Sequence, residues 1–329
     1  MRQEWLNATH EPILDAQLPI IDPHHHIWHR PHERYTPEDL RDDLRDGHNI
    51  TDTVFVQCRS MYRADGPSAL RPVGETEFVN AVADAAVAHG GPRIAAGIVS
   101  MADLVLGDDV RPVLEAHLAA APQRLRGIRN MTTSHPEIVS SFGRIPPQRL
   151  LDPVFQRGFS HLAPLGLSYD VWAYHTQLDE VRQLAASFPQ TSIILDHIGG
   201  PLGMGLFRSQ RDTVFAEWSA AIRALAACPN VTVKLGGFGM HLLGFDFHKE
   251  STAPDSQTLA SAIRPYVDTC IEAFGAERCM FESNFPVDKG MFSYRVMWNA
   301  FKRLTAGATA AERSALFSGT AARVYRLPQ

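Results

Sequence analysis

The sequence predicts an α/β fold, a (β/α)8 TIM barrel, and three observations carry that prediction. Short apolar runs rich in Val, Ile and Leu alternate with amphipathic helical segments along the whole 329-residue chain. Each run is nearly continuous in its apolar character, as parallel strands covered on both faces require. Polar and titratable residues collect where the runs end, which is where a barrel carries its active site.

The strand candidates are 19–28 (PIIDPHHHIW), 53–58 (TVFVQC), 93–100 (RIAAGIVS), 125–131 (LRGIRNM), 167–174 (LSYDVWAY), 192–200 (SIILDHIGG), 231–237 (VTVKLGG) and 279–287 (CMFESNFPV). Helical spacing covers 75–91, ending in Gly90-Gly91 as a C-cap, and 152–166, opening with Asp152-Pro153 as N-cap and first helical residue. It also covers 177–189, stopped by Pro189, then 215–229 and 256–275, and finally 293–305 and 310–327, which close the chain. The alternation by itself also suits an open doubly wound sheet. No GxGxxG follows the first strand, which weakens a dinucleotide-binding version of that alternative. The longest irregular stretch, 238–257, follows the seventh strand, where a barrel places a substrate loop.

Composition narrows the function classes. The net charge of −5 is spread over mixed signs, so no nucleic-acid surface is expected. No apolar run approaches the ~18 residues that span a membrane. The first residues, MRQEWLNATHEP, have no apolar core, so no secretory signal is expected. Cys58, Cys228, Cys270 and Cys279 form no CxxC pair and read as free thiols of a reducing cytoplasm. The expectation is one cytoplasmic barrel domain over 1–329 with a small anionic molecule as partner, a homodimer being left open.

The chemistry concentrates in a few places. In Asp22-Pro23-His24-His25-His26, strict alternation puts Asp22, His24 and His26 on one face. Two imidazoles one residue apart can chelate a metal, or can pair by hydrogen bonding without one. Asp196 and His197 end the sixth run, and Trp172, Tyr174 and His175 end the fifth. Arg59 follows the second run and Arg129 ends the fourth. Lys234 lies inside an apolar strand and must find a partner or solvent. Glu282 and Asn284 share a face of the eighth run, with Glu282 roughly 6–7 Å deeper. Ser283 faces away and no GxSxG elbow exists, which argues against a serine hydrolase. His241 and His248 sit in the long loop as substrate contacts or surface residues, and Met101, Met204, Met240 and Met291 read as core or loop filler.

IDPHHHIW, IILDHIGGP, VKLGG and ESNFPVDK together resemble the amidohydrolase family 2 group, which includes L-fuconolactonase, 2-pyrone-4,6-dicarboxylate lactonase and, more distantly, aminocarboxymuconate semialdehyde decarboxylase. The resemblance runs from about residue 18 to the C-terminal RVYRL. It implies His24 and His26 as the paired first-strand histidines, with His175 as a looser third metal ligand. It implies His197 as a catalytic or polarising group, with Arg59, Arg129, Tyr174, Lys234 and His241 holding substrate. The cofactor it implies is either none or one divalent metal, zinc or manganese. The family's G-S-D-W-P reads Glu282-Ser283-Asn284-Phe285-Pro286 here, so the usual aspartate is an amide that cannot accept a proton. Glu282 or a histidine is then the candidate base, and burial would raise the Glu282 pKa unless Lys234 or an arginine offsets it. The expected activity is hydrolysis of a small lactone or related cyclic ester bearing a carboxylate. The alternatives are a metal-dependent decarboxylase and a ligand-binding barrel without catalysis.

Overall fold

The computed structural model describes residues 3–30, 33–138 and 143–328. Eight parallel strands follow one another around a ring: β1 Ile20–His25, β2 Ile50–Val56, β3 Arg93–Ser100, β4 Leu125–Met131, β5 Ser168–Trp172, β6 Ile193–Leu195, β7 Val231–Leu235 and β8 Cys279–Phe281. The ring meets itself just beyond β8, where the Asn284 nitrogen donates to the His24 carbonyl and the His26 nitrogen donates to the Phe285 carbonyl. This is the expected (β/α)8 TIM barrel.

The expected strands coincide with these within a few residues and match β3 and β4 at both ends. The structure also has elements outside the expected set. An antiparallel pair, Trp28–Arg30 with Glu33–Tyr35, follows β1. A helix, Arg111–Ala120, fills the connection after β3. Pro112 in its first turn and Pro122 just past its end are the sequence signals that mark it.

Period-two alternation divides each strand between two cores. In β7, Val231, Val233 and Leu235 pack outward among the helices while Lys234 points into the barrel. In β8, Cys279 and Phe281 point outward and Met280 inward. Phe281 stacks on Phe301 of the helix Tyr294–Leu304 at a ring distance of 4.4 Å. Burying such a side chain contributes about 1.5–3 kcal/mol relative to leaving it in water.

The barrel interior is layered. Its floor is apolar: Ile21, Val54, Val99, Ile194 and Met280 close around Tyr325 from the C-terminal segment. The Tyr325 hydroxyl reaches up to donate to Asp170 at 2.6 Å, which marks the start of a charged layer. Above that layer lies the open C-terminal mouth.

One side-chain direction departs from the expectation. Asp22 does not share the His24 face. It accepts from the Ser283 nitrogen (3.0 Å) and the Tyr294 hydroxyl (3.0 Å), outside the barrel. The pairing of β1 with β2 shifts register between Asp22 and His25, across Pro23, so simple alternation fails there.

Candidate active site

The charged layer consists of residues from five strands. Lys234 Nζ lies 2.7 Å from Asp170 Oδ2 and 3.0 Å from Asp196 Oδ1, and all three side chains are fully buried. Arg129 Nη1 lies 3.2 Å from Asp196 Oδ2. Asp170 and Asp196 bracket the ammonium, so the buried Lys234 keeps its charge: burial opposes this, but the two carboxylates outweigh it and raise its pKa. Burial likewise opposes ionisation of Asp196, and Lys234 outweighs it, holding Asp196 well below the usual carboxylate range.

Glu282 stands between two histidines. Its Oε1 accepts from the His197 backbone nitrogen at 3.1 Å and lies 2.6 Å from His197 Nδ1. Its Oε2 lies 2.8 Å from His24 Nδ1. Burial alone would raise the Glu282 pKa, but the attraction of His197 and His24 and the hydrogen bonds they donate pull it down to about 2. A carboxylate accepts only, so His197 carries its proton on Nδ1 and leaves Nε2 as a lone pair. His26 is fixed the same way, its Nδ1 lying 2.7 Å from the Val56 carbonyl. These tautomers are assigned from the partners.

His24 is held from both sides. Arg129 Nη1 lies 3.3 Å from its Nε2 and Lys234 Nζ lies 3.1 Å from its Nδ1. A neutral imidazole offers one lone pair, so both cations cannot donate to it. One of the two contacts is therefore a close approach of charge to the ring and no hydrogen bond. Burial, then the Lys234 charge, lowers the His24 pKa to about 4. Burial foremost also lowers that of His26, so both rings are neutral at pH 7.

Local backbone and two glycines make this packing feasible. His197, Asn284 and Arg59 all have positive φ, at 52°, 53° and 61°. Non-glycine residues adopt this region at a cost of order 1–3 kcal/mol, and such residues cluster at functional sites. Gly236 packs its α-carbon against Glu282, where any side chain would collide. At Gly237, with φ of +74°, a Cβ would stand 2.6 Å from His197 Cβ. The Gly-Gly pair that ends VKLGG therefore exists to admit the Glu282–His197 pair.

Above the charged layer opens a cavity of about 940 Å³. Seven of the expected site residues line it: His26, His197, Asn284, Arg59, Arg129, Tyr174 and His241. Four do not. His24, Lys234 and Glu282 lie beneath it in the charged layer. His175 faces Phe207 (ring distance 5.3 Å) and accepts from the Leu202 nitrogen at 3.3 Å, away from the other histidines. Asn284 donates through Nδ2 to Asp288 at 2.8 Å, which leaves its carbonyl oxygen as the free end. Met204 and Met240, read from sequence as filler, stand on the cavity wall. Asp170 escaped the sequence reading altogether. Its signal was the same as that of Lys234, a charge inside an apolar strand.

The base role weighed for Glu282 does not fit this geometry. Its Oε1 is held by His197, its pKa is low, and it has no face on the cavity. The geometry gives the proton-accepting position to His197 Nε2, with Glu282 orienting it.

A divalent metal is tested by the same donors. Among the described residues one group has suitable spacing: His24, Asp196 and His197, with ligand atoms within 4.8 Å of one another. It shares only His24 with the expected set of His24, His26 and His175. Lys234 Nζ already lies 3.0–3.1 Å from two of its members, and Arg129 bonds the same two. Two cations already hold two of the three donors, so these donors do not fit a divalent metal as arranged.

The family model described as Amidohydrolase matches residues 21–327. The uncharacterized protein y4mH of Sinorhizobium fredii is 35% identical over 328 residues, which is 95% of this chain and 100% of that one. An L-fucono-1,5-lactonase of Burkholderia multivorans is 36% identical over 179 residues, 54% of this chain and 57% of that one. A crystal structure of an amidohydrolase from Burkholderia multivorans with bound zinc aligns with a TM-score of 0.73 at 29% identity, covering 94% of this chain and 99% of that one. From its first strand to its C-terminal segment, this chain belongs to the amidohydrolase family.

Proposed function

We propose that the chain is a hydrolase that opens a small lactone or related cyclic ester bearing a carboxylate. The observation that carries this reading is the Glu282–His197 pair at the cavity floor, 2.6 Å between Oε1 and Nδ1. It presents the imidazole Nε2 to a cavity whose described lining holds three arginines and one glutamate. The curated L-fucono-1,5-lactonase relative supports the reaction class.

His197 Nε2 takes a proton from water as the water oxygen bonds to the lactone carbonyl carbon. The carbonyl π-bond opens to an oxyanion, which the Arg129 guanidinium at the cavity floor stabilises. The oxyanion then re-forms the carbonyl and the acyl–oxygen bond breaks. The departing ring oxygen takes the proton from His197, giving a hydroxyl and a carboxylic acid. At neutral pH that acid releases one proton to solvent.

The buried charges favour the intermediate step. Asp170, Asp196 and Glu282 oppose Lys234 and Arg129, three carboxylates against two cations. The imidazolium formed on His197 balances the remaining negative charge. General base help of this kind contributes typically 10²–10⁴-fold.

Proton release from a panel of lactone acids, with His197→Gln as the control, tests the reading. Release by the wild type and its loss in the variant are expected. Silence on every lactone acid overturns the reading, and carbon dioxide evolved from aromatic acids in the same samples would install the decarboxylase in its place.

A further inference from the structure

We infer that the substrate is amphiphilic: its carboxylate meets the arginines, and its other end is an alkyl or aryl group in place of the hydroxyls of a sugar lactone. This rests on the hydrolase reading and names its substrate class.

Large hydrophobic side chains are rarely exposed on this protein. Five are among the described residues, and three of those, Met204 (37% exposed), Leu206 (43%) and Val287 (39%), line the cavity. Scatter over the surface would not gather them there; a contiguous exposed apolar patch marks a binding surface. Phe207, Met240 and Leu242 continue the wall inward. These residues come from the loops after β6, β7 and β8. Arg30 and Arg59, which supply positive charge, follow β1 and β2. The loops after β6, β7 and β8 thus bring most of the exposed apolar wall, and those after β1 and β2 bring two of the three arginines.

A polyhydroxylated lactone fits this lining poorly. Every hydroxyl laid against the apolar wall gives up water without gaining a partner. Three polar atoms of the floor are already engaged by the protein. His26 Nδ1 is held by the Val56 carbonyl, Asn284 Nδ2 by Asp288, and Arg129 by Asp196. The volume of about 940 Å³ also lies near the top of the range for drug-sized ligands. A monosaccharide lactone would leave much of it empty.

Three probes decide the matter: a γ-butyrolactone-β-carboxylic acid, the same acid with a γ-phenyl group, and L-fucono-1,5-lactone. Burial of the phenyl ring should raise kcat/KM by about 10- to 100-fold over the unsubstituted acid. L-Fucono-1,5-lactone should be the poorest of the three. Leu206→Ser, at an exposed position, should cut the phenyl preference by about 10-fold. Calorimetric binding of the ring-opened phenyl hydroxy acid against L-fuconate reads the same preference without turnover. Hydrolysis that favours L-fucono-1,5-lactone overturns the substrate class and leaves the hydrolase standing. With no turnover of any probe, the hydrolase reading falls and calorimetry still decides: equal or tighter binding of L-fuconate overturns the inference.

Discussion

His197 Nδ1 lies 2.6 Å from Glu282 Oε1, and the same oxygen accepts from the His197 backbone nitrogen at 3.1 Å. One carboxylate oxygen therefore fixes both the position of the residue and the tautomer of its ring.

Glu282→Gln keeps the shape but presents an amide that no longer holds the Nδ1–H tautomer by charge. We expect kcat to fall by about 10²-fold or more, with KM little changed. Full kcat in this variant would exclude the positioning role.

Gly237→Ala should act on the same pair from the other side. The added methyl meets His197 Cβ, and the +74° φ disfavours any L side chain. Both effects push His197 off line while leaving every charge in place. A fall in kcat of about 10-fold or more is expected, since small misplacements near the chemistry are costly. A crystal structure of the variant with His197 unmoved and activity intact would refute this.

Lys234→Met removes the ammonium between Asp170 and Asp196. Asp170 then lacks its cation and Asp196 keeps only Arg129, a loss of about 3–5 kcal/mol by the precedent of broken buried pairs. Urea denaturation measures it directly. The variant should also gain zinc relative to wild type in elemental analysis, because His24, Asp196 and His197 lose their competing cation. Stoichiometric zinc in wild type purified without added metal would contradict the fit described for these donors.

Acid should destabilise the fold. Burial lowers His24 and His117 to about 4 and His25 and His48 to about 3, from an ordinary 6.5. As pH falls below 6.5 the unfolded chain takes up these protons and the folded chain does not, so stability drops through that window. Buried acids run the other way. Burial raises Asp22 to about 6 and Glu75 to about 7, and raises Asp170 also, so each favours the fold as pH falls toward its unfolded value. Four histidines outweigh three acids, their window extends lower, and Glu282 at about 2 adds a further loss below 4.5. The Tm at pH 4.5 should lie roughly 5 °C or more below that at pH 7.5. A Tm that holds or rises on acidification would show the acids prevailing.

Much of this protein was legible in its sequence because the signals are local. Near-continuous apolar runs marked the strands, and alternation within VTVKL and CMFE sent Lys234 and Glu282 inward. The motifs around His24, His26 and His197 placed those residues at strand ends, near what became the cavity floor. What only the tertiary structure decided depends on contacts between distant residues. Glu282 meets His197 across 85 positions, and Lys234 meets Asp170 across 64. The register shift at Pro23 turned Asp22 away from the histidines, and no spacing rule foretells it. Met204 and Leu206 carry no pattern of their own, since a loop has no period. Their exposure acquires meaning only when barrel closure sets them over the same cavity as His197. Periodicity records which face a side chain takes within its own element. Which partners it meets there is set by how the eight strands close.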